Sequence, residues 1–262
     1  MVTPPRTSRS RLELAGSALV LLLLLLGAPA TGCGGSQAAP EPPPGPTIQS
    51  RAREEARALA RALESFARDP ARVPSASPLA AGLRQANTDL LWLEQRAGGW
   101  QASPSLEAFV AGIADHRRLL AEASALPADE LASLLDAVVR DVSVKARQCR
   151  TFGGPVPVSI RVITRDATNR EVNGYEVWFV RKAYESKPAA FRRFEQNSSP
   201  AGHVFNEAGY YVLWTDHLSA RALKLRAQPI DVEVGPDRRD QLVDLTVPGE
   251  AAAADAASIG AP

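Results

Sequence analysis

From Ile48 to Gln148 the apolar positions recur at intervals of three and four. Ile48, Ala52, Ala56, Leu59, Leu63 and Phe66 form one stripe, which Pro70 ends. Leu79, Leu83, Ala86, Leu90, Leu93 and Ala97 form a second, closed by Gly98-Gly99. A third runs through Leu106, Phe109, Ile113, His116 and Leu120, starting near Ser103-Pro104 and stopping before Pro127, and a fourth through Leu131, Leu135, Val138 and Val142. This spacing puts each set on one helix face. The breakers leave connections of bundle length, so four amphipathic helices are expected to pack as an antiparallel bundle over residues 48–150.

Beyond Arg150 the period shortens to two. Val156–Thr164, Glu171–Val180, Tyr210–Thr215, Ile230–Val234 and Gln241–Val247 are rich in β-branched and aromatic residues, with turn chemistry at Asp166–Asn169, Asn173-Gly174 and Gly235-Pro236-Asp237. Two more short strands are expected near Phe191–Phe194 and His203–Phe205. About seven strands over residues 151–247 predict an antiparallel β-sandwich. The fold class is therefore α+β, a bundle followed by a sandwich. Residues 248–262, largely Ala with Gly and Pro, read as a disordered tail.

The 262-residue chain carries 30 basic and 29 acidic side chains. Residues 48–150 hold 14 and 13 of them, and residues 151–247 hold 13 and 12. Neither region conceals a strong field, which argues against a nucleic-acid partner and against electrostatic steering. The 26 Arg against 4 Lys reflect codon bias more than mechanism.

The first 32 residues read as an export signal. Arg6, Arg9 and Arg11 precede the apolar Leu14–Gly27, and small residues follow at Ala28-Pro29-Ala30. The run is too short for a membrane-spanning helix. Thr31-Gly32-Cys33 resembles the lipobox of bacterial lipoproteins, with Ala30 where Leu is usual. The resemblance implies cleavage before Cys33, acylation of its sulfur and new amine, and a lipid-anchored protein of the cell envelope. Several acyl chains give stable anchoring where one is marginal. The competing reading is cleavage after Ala30, releasing a soluble protein whose Cys33 is free to pair with Cys149. Gly34 lacks the acidic character associated with inner-membrane retention in some bacteria, which directs the expectation to the outer membrane. Residues 33–47 then form a Gly-Ser and Pro-rich tether, reaching on the order of 40 Å at most.

The C-terminal region carries a second resemblance. Val158-Ser-Ile-Arg-Val162, a polar turn, Val172–Val180 and Phe205-Asn-Glu-Ala-Gly-Tyr-Tyr-Val212 look like the transthyretin-like, carboxypeptidase-regulatory-type sandwich. Ala208 stands where that family's entry motif has Pro, and Asn169 where its first turn usually has Gly. The resemblance implies a non-catalytic accessory or adhesion module and carries over no catalytic residue.

Candidate chemistry is sparse. His116 sits on an apolar stripe beside Asp115, without the His-x-x-x-His or Glu-x-x-His spacing of a metal site, and reads as a core or boundary histidine. His203, His217 and Asp216 flank the strand containing Trp214 and are the alternative set for a metal-dependent protein or enzyme. There is no Gly-x-Ser-x-Gly elbow and no phosphate loop, and Asn197-Ser198-Ser199-Pro200 lacks an elbow's glycines. No cofactor is expected. Cys149, between Gln148 and Arg150, reads as a buried inert thiol, although Arg147 and Arg150 are placed to activate one.

One surface feature stands out. If Tyr211, Leu213, Val177 and Phe179 face inward, then Tyr210, Trp214 and Trp178 share the opposite face, with Arg181 nearby. These four are the candidate binding residues, a platform for a glycan or an envelope protein. The preferred alternative is that the helical bundle covers this face, because an apolar patch of that size is normally buried.

Overall fold

The computed structural model describes residues 45–173, 175–196, 200–217 and 229–247. The signal segment, Cys33, most of the tether, Asn197–Ser199 and the tail after Val247 lie outside them. From Gly45 onward the described residues belong to one compact unit.

Four helices come first: α1 (Ile48–Ala67), α2 (Pro78–Arg96), α3 (Pro104–Glu122) and α4 (Ala128–Phe152). Three open on a side-chain cap. Thr47 Oγ1 accepts from Ser50 N–H at 3.2 Å, Ser77 Oγ from Ala80 at 3.1 Å and Ser103 Oγ from Leu106 at 3.1 Å. Each cap contributes about 1 kcal/mol. α1 lies against α2 and α3, and α2 against α4. The apolar stripes converge in one core that includes Leu59, Leu63, Leu90, Phe109, Ile113, Leu135 and Val138. α4 outlasts its apolar stripe and stops at Gly153, whose φ of 77° is the left-handed conformation glycine adopts freely. Gly153–Pro157 then leads straight into the first strand.

Seven strands follow: β1 (Val158–Arg165), β2 (Tyr175–Arg181), β3 (Arg192–Arg193), β4 (Ala201–Phe205), β5 (Gly209–His217), β6 (Ile230–Val234) and β7 (Asp240–Thr246). They form two sheets, ordered β4-β1-β7 and β3-β2-β5-β6. Val158, Ile160 and Val162 of β1 share a core with Val177 of β2, Tyr211 and Leu213 of β5 and Val234 of β6. One pairing departs from the antiparallel expectation: β1 and β7 run parallel, Ser159 opposite Asp240 through Arg165 opposite Thr246. The chain leaves β6 in one sheet and enters the other beside β1, rather than returning along the same sheet as a hairpin. Gly235, with φ 68°, makes that crossing. A Cβ there would lie 2.2 Å from Val158 Cγ2. Asn169 takes φ 64° in the β1–β2 turn, a conformation Asn tolerates better than other non-glycine residues.

The bundle docks on the sandwich through α4. α4 packs on β5, β6 and the short helical turn Lys182–Tyr184. Gln148 braces the linker from the helix side, donating Nε2 to the Val156 carbonyl at 3.0 Å while Oε1 accepts the Val156 N–H at 3.4 Å.

Candidate functional site

Where the bundle meets the sandwich, charged side chains replace apolar ones. His116 of α3, Asp141 and Lys145 of α4, and Glu207 of the β4–β5 turn are all buried, and Arg181 at the end of β2 is largely so. Asp141 and Lys145 are four residues apart, one turn of helix, so both point at the sandwich. The Asp141 carboxylate accepts from three directions: His116 Nε2 at 2.7 Å, Lys145 Nζ at 2.7 Å, and the Tyr210 backbone N–H at 2.8 Å. Lys145 Nζ also donates to the Ala208 carbonyl at 2.8 Å and lies 3.3 Å from Glu207 Oε2. Glu207 pairs in turn with Arg181, which is bonded to Tyr211.

Two glycines make room for this packing. A Cβ on Gly112, within α3, would lie 2.5 Å from Glu207 Oε2 and 2.7 Å from Arg181 Nη1. A Cβ on Gly209 would lie 2.6 Å from Asp141 Oδ1.

The electrostatics follow from burial and pairing. Burial alone would raise the Asp141 carboxyl, but Lys145, His116 and Arg181 outweigh it and hold it well below the usual carboxylate range. Burial brings Lys145 down to about 8, with Asp141 opposing. Burial also lowers His116, again against Asp141. The neutral imidazole must donate through Nε2, because an ionised carboxylate only accepts, and that leaves Nδ1 as a bare acceptor without a partner among the described residues. A second proton would place an N–H at Nδ1 with nothing to receive it. With His116 neutral, two carboxylates balance two cations. Such a set holds together only as a whole, since removing one member strands the rest in low dielectric.

An imidazole–carboxylate–ammonium chain has the composition of a proton relay. None of its members lines either of the two grooves at this junction. One groove, about 500 Å³, lies between the α3–α4 connection and residues 182–187 and is rimmed by Glu122, Glu130, Lys182 and Lys187. The other, about 600 Å³, lies between the start of α3 and the α4–β1 linker.

The aromatic face is arranged as the alternation predicts but is covered. Trp178 and Trp214 are register partners across β2 and β5. Trp214 and Tyr210 are each about 5% exposed, so the open platform is replaced by a packed surface. Its cover is only partly the bundle. Arg140 of α4 lies over the Tyr210 ring at 5.3 Å and donates Nη1 to its hydroxyl at 3.2 Å. Over the tryptophans, the β2–β3 connection folds back, bringing Tyr184, Ala190 and Phe191 onto Val180, Val212 and Trp214. The Phe191 and Trp214 rings meet edge-on at 4.9 Å. Arg181 does not join this face. Its odd-numbered parity with Val177 and Phe179 turns it inward, to Glu207.

The His203, His217 and Asp216 set is not assembled. The His203 ring sits between the sheets, its centroid 4.7 to 5.2 Å from those of Phe179, Phe194 and Phe205. Burial there lowers its pKa, with Glu195 opposing. Asp216 has the parity of Trp214 and so faces the other side of its sheet. The side chain of His217 lies outside the described residues. No three His, Cys, Asp or Glu converge as a ligand set among the described residues. The Cys149 thiol is buried, which pushes its pKa up to about 12 against the pull of Lys145 and Arg150.

No protein-family model matches the chain, and no curated protein is detectably similar to it.

Proposed function

We propose that this chain is an exported, lipid-anchored protein of the bacterial cell envelope, acting as a non-catalytic binding or scaffold module. The observation that carries the non-catalytic part is the closure of the junction network. The groups with acid–base chemistry, His116, Asp141, Lys145 and Glu207, are spent on one another, and the one described thiol is held protonated. Two grooves at the junction open to solvent and offer room for a ligand. Anchoring is supported by the basic, apolar and small-residue succession that ends at Thr31-Gly32-Cys33, and by the Pro-rich spacer behind it. Among the described residues no helix is long and apolar enough to cross a membrane. The transthyretin-like resemblance of residues 151–247 points the same way, toward an accessory module whose partner is an envelope protein or glycan.

Expression of the full chain in a bacterial host tests the anchoring. The protein should require detergent for extraction, its mature N-terminus should be an acylated Cys33, and Cys33→Ala should move it to the soluble fraction. An unmodified N-terminus at Thr31 would overturn the proposal.

A further inference from the structure

The 600 Å³ groove has a composition unlike the rest of this charge-balanced surface. Its lining includes Trp100, Gln101, Ser105, Phe152, Asn206 and Arg239, and no acidic residue. Arg239 is exposed, its guanidinium rests 5.1 Å over the Phe152 ring, and it has no ion pair among the described residues. The first turn of α3 opens into the same space. Pro104 has no N–H to give, and the Leu106 N–H is taken by Ser103 Oγ, as the Glu107 N–H is by the Ser103 carbonyl. Ser105 is 4% exposed, yet its hydroxyl makes no hydrogen bond among the described residues. A hydroxyl that opens onto the groove without a partner among the described residues, at the positive end of a 19-residue helix and in one groove with an exposed guanidinium, is a place made for a negative group.

The groove is far larger than a lone anion needs and falls in the range of small-molecule sites, roughly 300–1,000 Å³. Gln101 and Asn206 bring exposed amides that give and accept hydrogen bonds, while Trp100, Phe152 and Pro155 bring apolar faces. Amides around an apolar wall match the alternating hydroxyl and C–H faces of a pyranose ring.

We infer that this groove binds a saccharide bearing a carboxylate, with Arg239 and Ser105 receiving the carboxylate and Gln101 and Asn206 the ring hydroxyls. Arg239 offers the fork that suits a carboxylate, held in place by Phe152. The inference rests on the binding-module reading above, and its test is independent of the Cys33 anchor.

Saturation-transfer NMR titrations of the full chain in detergent would use glucuronic, galacturonic and N-acetylmuramic acids. Glucose, galactose and N-acetylglucosamine are their neutral counterparts, and acetate serves as a lone carboxylate. At least one acid should bind at least tenfold more tightly than its neutral counterpart and resist displacement by equimolar acetate. Arg239→Gln should weaken that binding at least tenfold and Ser105→Ala several-fold, both with unchanged melting temperature. The inference fails if none of the three acids binds, if acid and neutral sugars bind alike, if acetate displaces the acid at equal concentration, or if Arg239→Gln leaves the affinity as it was. A soluble, unacylated protein that still binds the acid would separate this site from the anchoring proposal.

Discussion

His116 Nε2 lies 2.7 Å from Asp141 Oδ2, joining α3 to α4 where neither side chain reaches water. The imidazole is faced by Asp141 and Lys145 from α4 and Arg181 from β2, and burial keeps its pKa below the ordinary 6.5. The unfolded chain therefore takes up a proton at His116 before the folded chain does. Stability contributed above pH 6.5 is lost as the pH falls from there toward the folded value. Urea midpoints measured as the pH is lowered below 6.5 should fall for the wild type. The decline should be shallower in His116→Gln, which keeps a donor toward Asp141 but cannot titrate. Parallel profiles would contradict the assignment.

Lys145 is the cation both carboxylates share. Its replacement by Met leaves Asp141 and Glu207 buried with only Arg181 to balance them, and should cost about 3–5 kcal/mol in urea unfolding. In a double-mutant cycle, Lys145→Met with Asp141→Asn should cost clearly less than the two single changes added together. Additive losses would mean that the pair is not coupled.

Gly112 inverts the usual helix rule. Gly→Ala within a solvent-exposed helix gains about 1 kcal/mol. At Gly112 the new methyl would sit 2.5 Å from Glu207 Oε2, so the substitution should instead destabilise, by about 1–3 kcal/mol as other overpacked sites do. A rise in thermal midpoint would show that Glu207 and Arg181 do not press on α3.

With its thiol pushed up to about 12, Cys149 should resist alkylation at pH 8 in the folded protein and react readily in urea. Peptide mapping separates it from Cys33. Rapid labelling of Cys149 without denaturant would contradict its burial.

Helix and strand positions were legible because each rests on local spacing: the stripe through Leu83, Ala86, Leu90 and Leu93, or the alternation of Tyr175, Val177 and Phe179. The charge network was not. His116 and Asp141 are 25 residues apart and Lys145 and Glu207 are 62 apart, so nothing in either segment names its partner. Faint signals existed. Asp141, Lys145 and Gln148 make a second stripe beside the apolar one on α4, and Gly112 interrupts a helix that gains nothing locally from glycine. The aromatic face was half legible. Parity placed Trp178 beside Trp214, but whether a connection folds over a sheet depends on that connection's own contacts, here those of Tyr184 and Phe191. Arg181 is close to the tryptophans in sequence but shares the parity of Val177 and Phe179, which turns its side chain to Glu207.

The buried network should weld the bundle and sandwich into one cooperative body. Native-state hydrogen exchange across a denaturant series reads that cooperativity residue by residue. Amides of α2 around Leu90 and of β5 around Leu213 should share one global opening free energy in the wild type and separate in Lys145→Met. If the two already open independently in the wild type, with the sandwich exchanging while the bundle stays protected, the network does not join them.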